Sequence, residues 1–319
     1  MNAAAEMILP QPTRAARYEQ IVRMSKKAEW QIDRDLLQGR GFDFSRKFLP
    51  DGLSQVDRLP FLSAAEARLL SQIEGRTYAY LFGLVERFIS TMMLDQGRSR
   101  ALGDQYALEA LVRFSAEELK HQELFRRMET MIAERLPPGY RQVADANEVA
   151  RAVLAASTWS VLALTCHIEL FVQAHYAESI GPRDELCPLF RDVFKFHWKD
   201  ESRHVILDEL EWREEHAMLS PADRDQAVTD FIALVTAVDG ILQAQAAADA
   251  DYFIGAAARA FSGGETAEIH TTLLGAYRWQ YIVSGAQHPY FSKLLTSMTT
   301  PEQMARIQAA LAPIMKAWS

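Results

Sequence analysis

The chain has 319 residues, 49% apolar and 24% charged, a balance that excludes a disordered chain and allows one large domain or two. Its formal net charge of −8 and pI near 5.6 argue against a nucleic-acid surface, which carries a basic excess. With only Cys166 and Cys187 no disulfide framework is implied, and with no basic-then-apolar leader in MNAAAEMILPQP the natural setting is a reducing cytoplasm.

Residues 1–15 read as a flexible tail, followed by one helical domain over 16–319. AARYEQIVRMSKKAEWQIDRDLLQ, residues 15–38, places apolar residues at three- and four-residue intervals, the pattern of a peripheral helix. Residues 39–60 have the Gly, Pro and Asp density of a loop. Ser63 with Glu66 three residues later predicts a capped helix running to about Leu94. GRSRALGD then makes a turn. A second long helix is expected over 105–136, stopped by Pro137, Pro138 and Gly139, a third over 147–179, a fourth over 186–219 and a fifth over 223–260. Shorter helices complete a C-terminal group spanning about 223–317. No segment alternates apolar and polar residues as a strand does. The longest uncharged run, residues 152–168, includes Ser, Thr and His and meets Glu169, so no membrane span is expected. The fold class is therefore all-α, a four-helix bundle over about 62–217 with helices added at both ends.

Within that bundle one pattern occurs twice. EELKH (residues 117–121) and DESRH (residues 200–204) both read acid, acid, any residue, basic residue, His. Glu118 with His121 and Glu201 with His204 are Glu-x-x-His pairs, 83 residues apart. Glu86 and Glu169 are also 83 residues apart, and each stands 32 before the Glu of the following pair. The arithmetic describes a helix pair used twice, with one Glu on its first helix and Glu-x-x-His on its second. That donor set holds two metal ions in the core of a four-helix bundle. Four carboxylates offset two divalent cations, which makes their burial among LFGLVERFIS and LTCHIELFVQ tolerable.

His197 falls on the same helix face as Glu201 and His204, within about 60°. It reads as a third imidazole ligand or as a core histidine. Glu117 and Asp200 precede the paired Glu residues and point about 100° away. They suit acceptors for the outer N–H of a ligand histidine, or solvated acids. Cys166 reads as a small buried thiol or a neighbour of the site. His167 lies about 200° round the helix from Glu169, and His175, His216, His270 and His288 have no supporting constellation. Tyr78, Tyr80, Phe82, Phe114 and Phe125 are core residues of the bundle that can also line a pocket.

This set resembles the ferritin-like di-iron superfamily. With His197 it becomes His-x-x-Asp-Glu-x-x-His, which is similar to the p-aminobenzoate N-oxygenases, arylamine-oxidising enzymes of antibiotic biosynthesis. The resemblance implies Glu86, Glu118, His121, Glu169, His197, Glu201 and His204 as ligands of two irons, or of manganese or a mixed pair, with His197 as a third nitrogen donor. It implies O2 as co-substrate, an amine or arylamine as substrate and often a homodimer. Radical-storing ribonucleotide reductase subunits carry Tyr four residues after the first ligand His, where this chain has Phe125. No G-x-G-x-x-G fingerprint occurs, so electrons come from an external donor. The other readings are a ferritin-like oxidase or hydroxylase with a different substrate, and a metal-binding or hydrolytic protein without redox chemistry.

Overall fold

In the computed structural model, which describes residues 13–316, every regular element is helical. Thr13 caps α1 (Arg14–Ala28) by accepting the Ala16 N–H. Ser63 and Glu66 form the expected reciprocal capping box at the head of α2 (Ala64–Arg100). Asp104 caps α3 (Gln105–Ala133), and Asp145 caps α4 (Ala146–Leu154). Then come α5 (Thr158–Ala174) and α6 (Pro188–Met218), whose Pro188 occupies the first turn, where its missing N–H costs nothing. Ser220 before Pro221 opens α7 (Pro221–Ala256), and a second capping box, Ser262 with Glu265, opens α8 (Gly263–Arg278). The chain ends in α9 (Pro289–Ser297) and α10 (Pro301–Lys316).

The departures from expectation have local causes. The helix expected over 15–38 stops at Ala28, where Glu29 turns extended (ψ 132°), and a separate π-helical turn covers Ile32–Leu37. The break carries Trp30 inward, where its indole N–H donates to Asp200. Of the expected tail, residues 1–12 lie outside the described residues, while Arg14 and Ala15 are helical. The helix expected over 147–179 divides at Ser157, whose backbone N–H donates to the Asp230 carboxylate of α7. The Ser157 hydroxyl donates to the Ser160 hydroxyl at the start of the new helix. The second half passes into a π-helical turn at His175–Ile180. Helix α2 overruns Leu94 to Arg100, whose guanidinium reaches Glu211 and Glu214 of α6. Short helical turns, Asp51–Ser54 and Val56–Arg58, lie inside the expected 39–60 loop.

Helix α2 packs along α3 and α5 along α6, and these two hairpins form the bundle. Helix α1 lies across α3 and α6, α4 packs on α2, and α7 covers α5 and carries α8 and α10. Among the described residues α7 alone is long and apolar enough to cross a bilayer. Its polar positions bond within the fold. Asp239 takes a bidentate Arg278 from α8 at 2.7 and 2.8 Å, and Gln245 bonds Val143 and Arg141. Asp249 accepts from Thr77 of α2, Tyr277 of α8 and Gln245, which ties the C-terminal helices to the bundle.

Burial raises the Asp249 carboxyl from its ordinary 3.8 to about 7. The folded chain keeps that proton up to about pH 7, while the unfolded chain loses it near 3.8, so stability falls as pH rises between those values. Asp249→Asn therefore flattens the fall in thermal stability between pH 4 and 7. A variant with the parent's pH slope contradicts this.

Candidate metal centre

The seven residues singled out as ligands meet in the bundle core, each no more than 2% exposed. Glu86 comes from α2, Glu118 and His121 from α3, Glu169 from α5, and His197, Glu201 and His204 from α6. Their donor atoms form two groups. Glu86, His121, His197 and Glu201 make one, and Glu118, Glu169, Glu201 and His204 the other, with the atoms of each group within 4.8 Å of one another. Glu201 belongs to both. Its Oε1 lies 3.1 Å from His121 Nδ1 and 2.8 Å from His197 Nε2, and its Oε2 lies 2.9 Å from His204 Nδ1. Glu86 Oε1 is 3.0 Å from His197 Nε2, and Glu118 Oε1 is 2.8 Å from His204 Nδ1.

These residues fit a pair of metal ions on two grounds. Donors at right angles on an ion with bonds of about 2.1 Å lie roughly 3 Å apart, the spacing seen here. Glu86 Oε2, both oxygens of Glu118, His121 Nδ1, Glu169 Oε2 and Glu201 Oε1 are also buried without a hydrogen-bond partner, and buried polar atoms are otherwise nearly always satisfied. The field of the cluster calls for cations. Burial and the neighbouring carboxylates hold the Glu118 and Glu169 carboxyls well above the ordinary range. Burial lowers His121 and His204, but the charges of Glu86, Glu201 and Glu118 outweigh it and hold both imidazoles well above their usual values. Against its own burial, the His121 charge holds Glu86 down to about 2. Metal ions supply the positive charge that protons otherwise provide.

Behind the cluster the two hairpins exchange acids. Asp200 of α6 faces His121 Nε2 on α3 at 3.0 Å, and Glu117 of α3 faces His204 Nε2 on α6 at 2.9 Å. An acid on the outer nitrogen keeps the proton there and turns the Nδ1 lone pair toward the cluster. The acids are themselves held. Asp200 accepts from Trp30 Nε1 at 2.8 Å, Lys120 Nζ at 2.7 Å and Arg203 at 2.6 Å, and Glu117 accepts from Arg203 and Ser25. Each motif carries a basic residue directly before its His, to which the sequence alone assigns no role. Those residues, Lys120 and Arg203, are the cations that hold Asp200 and Glu117. Trp30 and Ser25 lie outside the bundle segments and carry no signal in the sequence.

Aromatic rings close the site. Phe114 stacks on His204 with centroids 3.7 Å apart, and Phe82 and Phe125 stand edge-on to His197 at 5.5 and 5.0 Å. Tyr78 bonds His175 at 2.8 Å, one layer further out, while the Tyr80 hydroxyl donates to Ala144 and stands apart. Cys166 is buried and free. His167 faces the Ile282 carbonyl, His216 accepts from Trp159, His270 pairs with Asp251 and His288 caps α9. None of these belongs to the two donor groups.

An all-α bundle whose core holds paired Glu and Glu-x-x-His donors on two hairpins defines a ferritin-like di-metal carboxylate protein. Residues 70–258 match the p-aminobenzoate N-oxygenase AurF family, and the chain belongs to that family. The matched span holds all seven candidate ligands together with Glu117 and Asp200. No curated protein matches the chain.

Asp200→Asn leaves the cluster in place and removes the charge on the outer nitrogen of His121. We expect a loss of about 10–100-fold in Fe(II) affinity, measured by competition with a chelator. Unchanged affinity contradicts a role for Asp200 in positioning His121.

Proposed function

We propose that the chain is a di-iron oxygenase that uses O2 to oxidise the nitrogen of a small amine or arylamine. The observation that carries the reading is His197, whose Nε2 stands 2.8–3.0 Å from both Glu201 and Glu86 and so adds a third imidazole to the twofold Glu and Glu-x-x-His set. Membership of an N-oxygenase family supports it. In the first step RNH2, O2, two electrons and two protons give RNHOH and water, the electrons coming from an external reductant.

Two irons held by these seven side chains would supply the O2 chemistry. The protein's own contribution is legible in its side chains. Glu201 spans both groups and sets their separation, while Glu86 and Glu169 close the two ends. Asp200 and Glu117 hold protons at the Nε2 atoms of His121 and His204, so each ring offers Nδ1 inward. Phe82, Phe114 and Phe125 exclude water from the donors. A water-poor site strengthens each charge interaction in it.

The test is aerobic turnover of aniline-type amines by the Fe(II)-loaded protein with a chemical reductant under 18O2. We expect O2 uptake and an N-oxygenated product carrying 18O, with His197→Ala keeping its iron but losing at least about tenfold in rate. Oxidation without 18O in the product, or hydrolytic activity that survives zinc substitution, contradicts the proposal.

A further inference from the structure

Two cavities open behind the donor cluster and share a wall. The inner one, about 70 Å³, lies between α2, α4, α5 and α7, and the outer one, about 230 Å³, reaches the surface between α7, α9 and α10. Leu164, Val238 and Tyr281 line both. The inner cavity ends at Phe82, Val85 and Ile168. Val85 and Ile168 adjoin Glu86 and Glu169 in sequence, and the Phe82 ring stands 5.5 Å from the His197 ring. A molecule filling the passage thus arrives one ring away from the metal centre.

The chemistry of the walls selects what enters. Among the described residues no Asp, Glu, Lys or Arg lines either cavity. Two buried polar atoms in the walls have no partner in the fold, Tyr281 Oη and His167 Nδ1. Burial keeps the Tyr281 hydroxyl protonated, so it can donate. The Nε2–H of His167 donates to the Ile282 carbonyl, which leaves Nδ1 as an acceptor. The two cavities therefore present an unpartnered hydroxyl and an unpartnered ring nitrogen, with Ser292, Thr296 and Gln308 on the outer one, and no Asp, Glu, Lys or Arg. A groove between α2 and α3 does carry Arg87 and Arg126, but these are bound to Asn147 and Glu123.

We propose that these two cavities are the substrate passage and that it takes an uncharged, flat, apolar amine, met by Tyr281 Oη and His167 Nδ1, in place of a carboxylate-bearing substrate such as p-aminobenzoate. A carboxylate in this passage would lose its hydration and gain no cation, a cost that neutral molecules avoid. The inference rests on the oxygenase reading for what happens to the amine, and its test is made without turnover.

Calorimetric titration of the Fe(II)-loaded protein in the absence of O2 compares methyl 4-aminobenzoate with 4-aminobenzoate, which differ little in shape and by one charge. We expect the ester to bind at least about tenfold tighter, Tyr281→Phe to weaken the ester about fivefold, and Val238→Arg, which places a guanidinium in the shared wall, to shift the preference toward the acid. Equal or tighter binding of the acid by the parent protein, failure of the ester to bind, or an ester affinity untouched by both substitutions overturns the passage. If the ester binds as expected and no O2-dependent oxidation follows, the oxygenase reading fails and the passage stands.

Discussion

Four carboxylates at the centre of a helical bundle are the constraint on which the rest depends. Glu86, Glu118, Glu169 and Glu201 are almost fully buried and carry four formal negative charges when ionised. An unpaired carboxylate in such a place costs several kcal/mol. Three imidazoles soften that cost, and two divalent cations would cancel it. The lengths and phases of α2, α3, α5 and α6 are accordingly set so that six donors fall at matched positions on two hairpins, with His197 added on the last helix.

A second layer makes the donor geometry specific. The acids preceding Glu118 and Glu201 cross between hairpins, each holding the outer nitrogen of the other hairpin's histidine. Arg203 bonds both acids, and Lys120 adds to Asp200. The break after α1 belongs to the same arrangement, because it brings Trp30 onto Asp200. Outside that layer the chemistry changes from charged to apolar. Phe82 marks the boundary, with His197 on one side and an uncharged cavity on the other.

Much of the bundle and six of the seven converging side chains are legible in the sequence because repeated spacing is a one-dimensional record of a three-dimensional duplication, and His197 is legible from its place on the helix face of Glu201 and His204. Glu86 and Glu169 alone would pass for isolated acids, but their common distance to Glu118 and Glu201 singles them out. What sequence reasoning misses depends on contacts far along the chain. The division at Ser157 turns on Asp230, the overrun of α2 turns on Glu211 and Glu214, and Trp30 is placed by Asp200, 170 residues away. The two uncharged cavities have no motif, since their walls come from seven separate segments.

The most direct test of the account is metal loading of the metal-free protein with Fe(II) under anaerobic conditions, followed by metal counting and thermal unfolding. The account predicts two ions per chain and a melting temperature that rises with loading, since a ligand that binds only the folded state stabilises it, and it predicts that Glu201→Ala, which removes the carboxylate common to both groups, abolishes that rise. A stoichiometry below two, or full loading with no gain in stability, would contradict it.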